Sequence, residues 1–377
     1  MNHMDKQALK EKIIGIVDQM APELKQISLT LHQNPELGRE EYQASELLHA
    51  RIKEHGFTVK QNISGYETAF IASKGNAGPN IAFLAEYDAL PELGHACGHN
   101  LIAAMSFGAA VAFAAVVGER ATSYLIGCPA EETSGAKVTM AADGVFDGLR
   151  AALIVHPSDD NSIGGSSYAT HPLKVTFRGQ AAHVASKTDK GINALDALVM
   201  FYQGIRTLRQ TFTQETILAG IITKGGIAPN VVTDHAEGKF TIRALSSSYL
   251  ENTVIPAVKR LAEGVALSTG TTVETVHYEP LFQELINDPE LMELYKENMA
   301  LLGEPVTVLE SNDAGGSTDV GNVSHIAPTL HPDLRIGKDI VAHTTEFALA
   351  AGSDYAQERL LVGAKAMAMT AIDLLGV

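Results

Sequence analysis

At 377 residues the chain has room for about two domains of roughly 150 residues each. A formal charge of −16, from 44 acidic against 28 basic side chains, argues against nucleic acid as a partner, because that binding rests on neutralising phosphates with Lys and Arg. Apolar residues make up 45% and aromatics 6%, with no tryptophan, so a soluble α/β core would be built from Ala, Leu, Ile and Val.

The N-terminus begins at Met1 and runs straight into an amphipathic pattern, without the basic flank and apolar run of a signal peptide. No stretch reaches about 18 consecutive apolar residues, so a cytoplasmic protein with no membrane partner is the expectation. Leu9, Ile13, Ile16, Val17, Met20, Leu24, Ile27 and Leu31 recur at helical spacing over 5–31, and the pattern repeats over 40–55 until Gly56 stops it. Strand-type runs then alternate with helical ones: 69–72, 81–85, a small-residue helix near 101–117, 123–128, a short helix from Ala136, and 151–155. Such alternation predicts an α/β fold, a mostly parallel sheet with helices on both faces. From about Ser167 the order becomes strand (171–177), helix (192–208), strand (216–223), strand (238–245), helix (251–267), strand (272–278). That βαββαβ order is the ferredoxin-like unit, a separate domain inserted into the first. The expected division is therefore 1–166 with 280–377 as one domain and 167–279 as the other, the chain ending in an Ala- and Met-rich helix from Asp354 to Leu375.

Ligand-type side chains cluster at the ends of the first set of strands. Glu86 and Asp88 follow one, Glu131 and Glu132 the next, and His156 the third, while Cys97 and His99 stand either side of Gly98 and His343 comes late in the chain. In open α/β sheets ligands bind outside the carboxyl ends of strands, so these segments converge on one rim. Imidazole, thiolate and carboxylate bind borderline-soft divalent ions, and the count exceeds the roughly four donors that one tetrahedral zinc takes, which favours two ions sharing a bridge. Two adjacent carboxylates after a buried strand repel unless a cation sits with them, and adjacent side chains point differently, so one can bind metal while the other faces a water. His95 is a candidate donor behind the ligands, and Asp319 in its Gly-rich loop a candidate neighbour of the site. Cys97 and Cys128 are expected to remain free thiols.

These segments resemble the M20 peptidase family of dinuclear metallohydrolases, in its amidohydrolase branch of aminoacylases, indole-3-acetyl-amino-acid hydrolases and aminobenzoyl-glutamate hydrolases. The resemblance spans essentially the whole chain. It is carried by Glu86-Tyr87-Asp88-Ala89-Leu90-Pro91, His95-Ala96-Cys97-Gly98-His99, Ala130-Glu131-Glu132, Val155-His156-Pro157, Gly179-Gln180-Ala181-Ala182-His183, and Gly225-Gly226 leading to Asn230. It implies Cys97 as the thiolate bridging two divalent ions per subunit, zinc or manganese with cobalt as a further candidate, and His99, Glu132, His156 and His343 as the other ligands. It further implies Glu131 as general base, Asp88 as the acid orienting a ligand, and His183 reaching the active site of the partner in a homodimer formed through the inserted domain, for which it implies the role of lid or dimerisation domain. Asn230 and Arg243 are the implied binders of the substrate's free carboxylate. Asn100 stands where many of these amidohydrolases carry aspartate, a feature shared with the aminobenzoyl-glutamate-like and dipeptidase-like members, and Thr233 stands where proline is common.

The expected activity is metal-dependent hydrolysis of the amide bond in an N-acyl amino acid or dipeptide-like small molecule, releasing an amino acid. The alternative is a catalytically silent metal- or ligand-binding relative, against which the presence of Glu131 argues. A serine hydrolase using Ser134 or Ser166 lacks the nucleophile-elbow pattern.

Overall fold

The structure is a computed structural model that describes residues 3–185 and 191–375. In chain order, α1 (His3–Gln33) and α2 (Tyr42–Glu54) lead into β1 (Thr58–Ile63), β2 (Tyr66–Lys74), β3 (Asn80–Ala85), α3 (His99–Val117), β4 (Thr122–Gly127), α4 (Ala136–Ala142), β5 (Ala151–Leu153), β6 (His156–Ser158) and β7 (Ser162–Ser166). Then come β8 (Ala169–Arg178), α5 (Ala194–Leu208), β9 (Thr216–Lys224), β10 (His235–Ala244), α6 (Ser247–Tyr249), α7 (Ile255–Thr269) and β11 (Thr272–His277). The chain closes with α8 (Pro289–Leu301), β12 (Thr307–Ala314), α9 (Val320–Ser324), β13 (Thr329–Leu330), β14 (Asp333–Arg335), α10 (Thr345–Ala351) and α11 (Asp354–Asp373).

These elements form two compact units, one of residues 1–166, 285–313 and 319–377, the other of 167–284 and 314–318. The larger unit is α/β, with a six-stranded sheet in the order β1-β2-β4-β3-β5-β13. Pairing is parallel from β4 through β3 and β5 to β13, and antiparallel from β1 through β2 to β4. Strand β3 is buried from Ile81 onward, the continuous apolar run expected of a parallel strand covered on both faces. Helix α3 is apolar on every side and long enough by length and composition to cross a membrane, yet 83% of its most apolar window is buried. It packs between α1 and α11 and against β3 and β4, the environment that all-round apolarity demands in a core helix.

The structure adds strands that periodicity alone did not predict. Strand β1, Thr-Val-Lys-Gln-Asn-Ile, is a polar edge that turns mostly outward, so it lacks the apolar alternation by which strands are recognised. A second small sheet, β12-β7-β14-β6, is built from strands of three to eight residues, too short to show a period.

The smaller unit has strand order β11-β8-β10-β9, every pair antiparallel. With α5 and α7 as its two helices this is the βαββαβ arrangement read from the sequence. Its own core joins Leu173, Val175 and Phe177 of β8 to Leu198 and Phe201 of α5 and Val258 of α7. Residues 280–284 belong to this unit rather than to the larger one, because Phe282 exchanges both backbone hydrogen bonds with Thr170.

Phe83 of β3 is fully buried and meets Phe113 of α3 edge-on, with ring centroids 5.9 Å apart. Replacing it by alanine removes that contact and leaves a cavity between sheet and helix, so Phe83→Ala is expected to cost about 3–5 kcal/mol. The check is a lower denaturant midpoint at unchanged slope.

Candidate metal centre

Strands β3 and β4 are parallel neighbours that end together, Ala85 opposite Gly127. The loops that follow them therefore leave the same edge of the sheet, one carrying Glu86 and Asp88, the other Glu131 and Glu132. Helix α3 starts from this edge at His99, after a left-handed Gly98 (φ 78°). Gly98 is required twice over. Any side chain there would be strained by the positive φ, and its Cβ would lie 2.8 Å from Pro157 Cγ. That close approach lays the Cys97-Gly98-His99 turn against His156-Pro157, and Cys97 Sγ comes 3.3 Å from His156 Nε2. His343 joins from the C-terminal segment in a left-handed conformation (φ 65°). Its N–H donates to the Ala96 carbonyl at 2.8 Å, and its Nε2 stands 3.1 Å from Glu132 Oε1.

Three overlapping sets of ligand atoms result, each with its members within 4.8 Å of one another: Cys97, His99 and His156; Cys97, Glu132 and His343; His99, Glu131 and Glu132. All six residues lie in the larger unit. Cys97, His99 and Glu132 each belong to two of the sets.

A metal fits this donor set, and the clearest sign is at His99. Its Nδ1 faces two acceptors, Asp88 Oδ1 at 3.0 Å and the Asp88 carbonyl at 2.9 Å, so Nδ1 carries the proton. That leaves Nε2, buried and without a hydrogen-bond partner, as the ring atom aimed among carboxylates 3.7 Å (Glu86) and 3.9 Å (Glu132) away. Against burial, Asp88 and Cys97 hold the imidazole well above its ordinary range, so an ion there would take the place of a proton. His156 repeats the logic, its Nδ1 donating to the Pro157 carbonyl at 2.8 Å and leaving Nε2 toward Cys97. Burial pushes the Cys97 thiol up, and burial with Glu132, Glu86 and Asp319 nearby pushes Glu131 far above the usual carboxylate range. Bound cations are what would reverse both shifts.

Lys137, at the start of α4, is a resident cation of this region that the sequence pattern had presented only as a helix residue. Its Nζ lies 2.6 Å from Glu86 Oε1 and 2.6 Å from Asp319 Oδ1, all three side chains sealed from solvent. Burial alone would raise Glu86, but Lys137 and then His99 outweigh it and hold the carboxyl down to about 2. Burial lifts Asp319 to about 6 in spite of the same lysine. His331, also not anticipated, has its ring 5.5 Å from that of His156, and burial lowers it to about 4, so it stays neutral. His95 is buried, stacks on His32 and enters none of the donor sets. Asn100 donates to Ser28 Oγ and the Ala351 carbonyl, tying α3 to its neighbours rather than facing the donors.

Glu41, between α1 and α2, is a third residue the sequence concealed, because an acidic run before a helix reads as ordinary capping charge. It is fully buried, accepting from the Ala130 N–H at 2.7 Å and from the Thr68 hydroxyl at 2.9 Å. The remaining candidates lie in the smaller unit. His183 is exposed and bridges Val231 across a short antiparallel contact, next to which the Val184 N–H donates to the carbonyl of the exposed Asn230. Arg243 is half-buried on β10, opposite Thr170 of β8.

Residues 171–264 match the family model described as a peptidase dimerisation domain of the M20 type. Along almost its whole length the chain is similar to the Xaa-Arg dipeptidase of Mus musculus, with 35% identity over 97% of this chain and 89% of that protein. It is also similar to one of the subunits of the p-aminobenzoyl-glutamate hydrolase of Escherichia coli, with 30% identity over 90% and 86% of the two chains. In fold it is similar to a putative aminohydrolase from Staphylococcus aureus (TM-score 0.80, 21% identity, 97% and 100% covered). A dinuclear metal-binding peptidase from Bacillus subtilis also shares the fold (TM-score 0.71, 21% identity, 95% and 99% covered).

Burial raises Glu41 from its ordinary 4.5 to about 7. The folded protein thus holds this proton more tightly than the unfolded chain, and the associated stability is complete below about pH 4.5 and is lost as the pH rises toward 7. Glu41→Gln removes that titration, so its stability relative to wild type should be greater at pH 8 than at pH 5. Equal differences in denaturant unfolding at the two pH values would contradict this.

Proposed function

Because the chain belongs to the M20 family of metallopeptidases and amidohydrolases, we propose that it hydrolyses the amide bond of an N-acyl amino acid or dipeptide bearing a free carboxylate and releases an amino acid. The observation that carries the reading is the buried, unpartnered His99 Nε2, set in one donor cluster with Glu132 and with a second carboxylate, Glu131, beside it. In this reading Cys97, His99, Glu132, His156 and His343 would hold two divalent ions, Cys97 serving as the ligand shared between them. Thiolate favours zinc, while the imidazoles and carboxylates also suit manganese or cobalt. Once bound, the ions supply Lewis acidity, which makes a water more acidic and polarises the scissile carbonyl.

The rest falls to the protein's own groups. Glu131 takes a proton from the attacking water and delivers it to the leaving amine. Bound cations would offset the rise that burial and neighbouring carboxylates impose on it, leaving a carboxylate able first to accept and then to give up a proton. Asp88 keeps the His99 proton on Nδ1, so Nε2 stays a donor of electrons. His183 donates to the oxygen that gains charge as the carbonyl is attacked. Asn230 and Arg243 take the substrate's carboxylate, the arginine by a charge-assisted pair. The match of 171–264 to a dimerisation domain supports a homodimer, in which the partner's His183 completes each site. The two free thiols, Cys97 and Cys128, fit a reducing compartment, the cytoplasm.

A hydrolysis screen of N-acyl amino acids and dipeptides, with zinc, manganese or cobalt added back after chelation, tests the activity. Within it Glu131→Gln should retain metal while kcat falls by a factor on the order of 10² to 10⁴, whereas Glu132→Gln should lose metal. The opposite pattern would exchange their roles.

A shared site makes a second prediction. Mixing an inactive Glu131→Gln chain with an inactive His183→Ala chain should restore activity, because one site of each heterodimer has both groups intact. No recovery after subunit exchange would leave His183 acting within its own chain.

A further inference from the structure

Between Cys128 and Gly135 the chain turns sharply, and the turn rests on a residue in an unfavourable conformation. Ala130 has φ 59°, a left-handed state that residues other than glycine avoid because Cβ crowds the carbonyl. Something must hold it there, since the two glutamates that follow are those of the metal centre. The carbonyl of Ala130 accepts from the Gly135 N–H at 2.8 Å and from the Thr133 N–H at 3.3 Å. Its N–H donates to Glu41 Oε1 at 2.7 Å. Glu41 has little freedom to follow a moving loop, because it is fully buried and its other oxygen accepts from Thr68. The segment carrying it lies hard against the turn: a Cβ added at Gly38 would meet Thr133 Oγ1 at 2.2 Å and Ala130 Cα at 3.0 Å. The far side is held independently, the Glu132 N–H donating to Asp88 Oδ2 at 2.9 Å.

We propose that Glu41 is a positioning residue of this site, its carboxyl oxygen clamping the left-handed backbone at Ala130 and so setting where the Glu131 and Glu132 side chains stand. The inference rests on the hydrolase reading above for its effect on rate, but not for its effect on the loop. Without the acceptor the Ala130 N–H is buried and unpaired, and the peptide gains by relaxing toward negative φ. Such a rotation re-aims both following side chains, and a displacement of about 1 Å in a reacting group is enough to cost on the order of 10² in rate. A mere filler of this space would not need an acceptor, whereas the clamp does.

The test compares Glu41→Ala, Glu41→Gln and the double variant Glu41→Ala/Ala130→Gly, reading kcat, KM and, in the metal-free protein, amide hydrogen exchange over residues 128–135. Glu41→Ala should lower kcat by about 10 to 100-fold with KM within about threefold, and should speed exchange in that loop. Glu41→Gln should recover most of both, because its amide oxygen accepts from Ala130 and its NH₂ donates to Thr68. The double variant should recover part of kcat, since glycine takes the left-handed state without a clamp. If Glu41→Ala does not fold, Glu41→Met, of similar volume but without the carboxylate acceptor, takes its place. A kcat within twofold of wild type in the Ala or Met variant, or equal losses in Gln and Ala, would overturn the proposal. If wild type loaded with zinc, manganese or cobalt hydrolyses no N-acyl amino acid or dipeptide, the functional reading fails. Exchange in the metal-free protein then decides the clamp by itself, and unchanged exchange in Glu41→Ala overturns it.

Discussion

The Asp88 carboxylate, sealed from solvent, accepts from the His99 imidazole with one oxygen and from the Glu132 backbone with the other. Those two bonds join the loop after β3, the start of α3 and the loop after β4. Each of these segments brings a different kind of donor. The imidazole bond keeps a proton on Nδ1 and turns Nε2 toward the other donors, and the backbone bond fixes the level at which the acidic pair leaves the sheet. A hydrogen bond to a charged acceptor is stronger than a neutral one and is costly to leave unmade when buried, so the donor cluster is held before any ion enters it.

Charge is the second constraint. Glu86, Asp88, Glu131, Glu132 and Asp319 crowd one region of the larger unit together with the Cys97 thiol, and among the described residues Lys137 is the lysine that pairs with them. One ammonium between Glu86 and Asp319 neutralises only part of that charge. Taking so many acids out of water is unfavourable unless cations offset it, and burial first, then the neighbouring carboxylates, pushes Glu131 and Cys97 up. A site for cations thus has its origin in the acids that the fold encloses.

The smaller unit follows a different plan, with a core of its own on an antiparallel sheet and polar candidates on exposed or half-buried positions. In the proposed reaction the substrate's carboxylate is a small, hydrated group, which an exposed Asn230 or a half-buried Arg243 would meet without the desolvation cost that a deep pocket imposes.

The alternation of apolar runs with helical stretches was enough to read the α/β order, the inserted βαββαβ unit and the strand ends from which Asp88, Glu131, Glu132 and His156 emerge, because those depend on periodicity and on local chemistry. Cys97-Gly98-His99 was legible for the same reason, as donor types flanking a glycine. What lay outside the sequence was everything decided by partners distant along the chain. Strand β1 is polar and finds its place only by pairing with β2, and His331 reaches His156 only because β14, just after it, pairs with β6. Lys137 and Asp319 become one ion pair across 182 residues, and Glu41 reaches Ala130 across 89. In the sequence these are an ordinary helix lysine, a loop acid and a capping acid. Burial turns them into fixed charges and acceptors, and burial is a property of the packed chain that no local pattern carries.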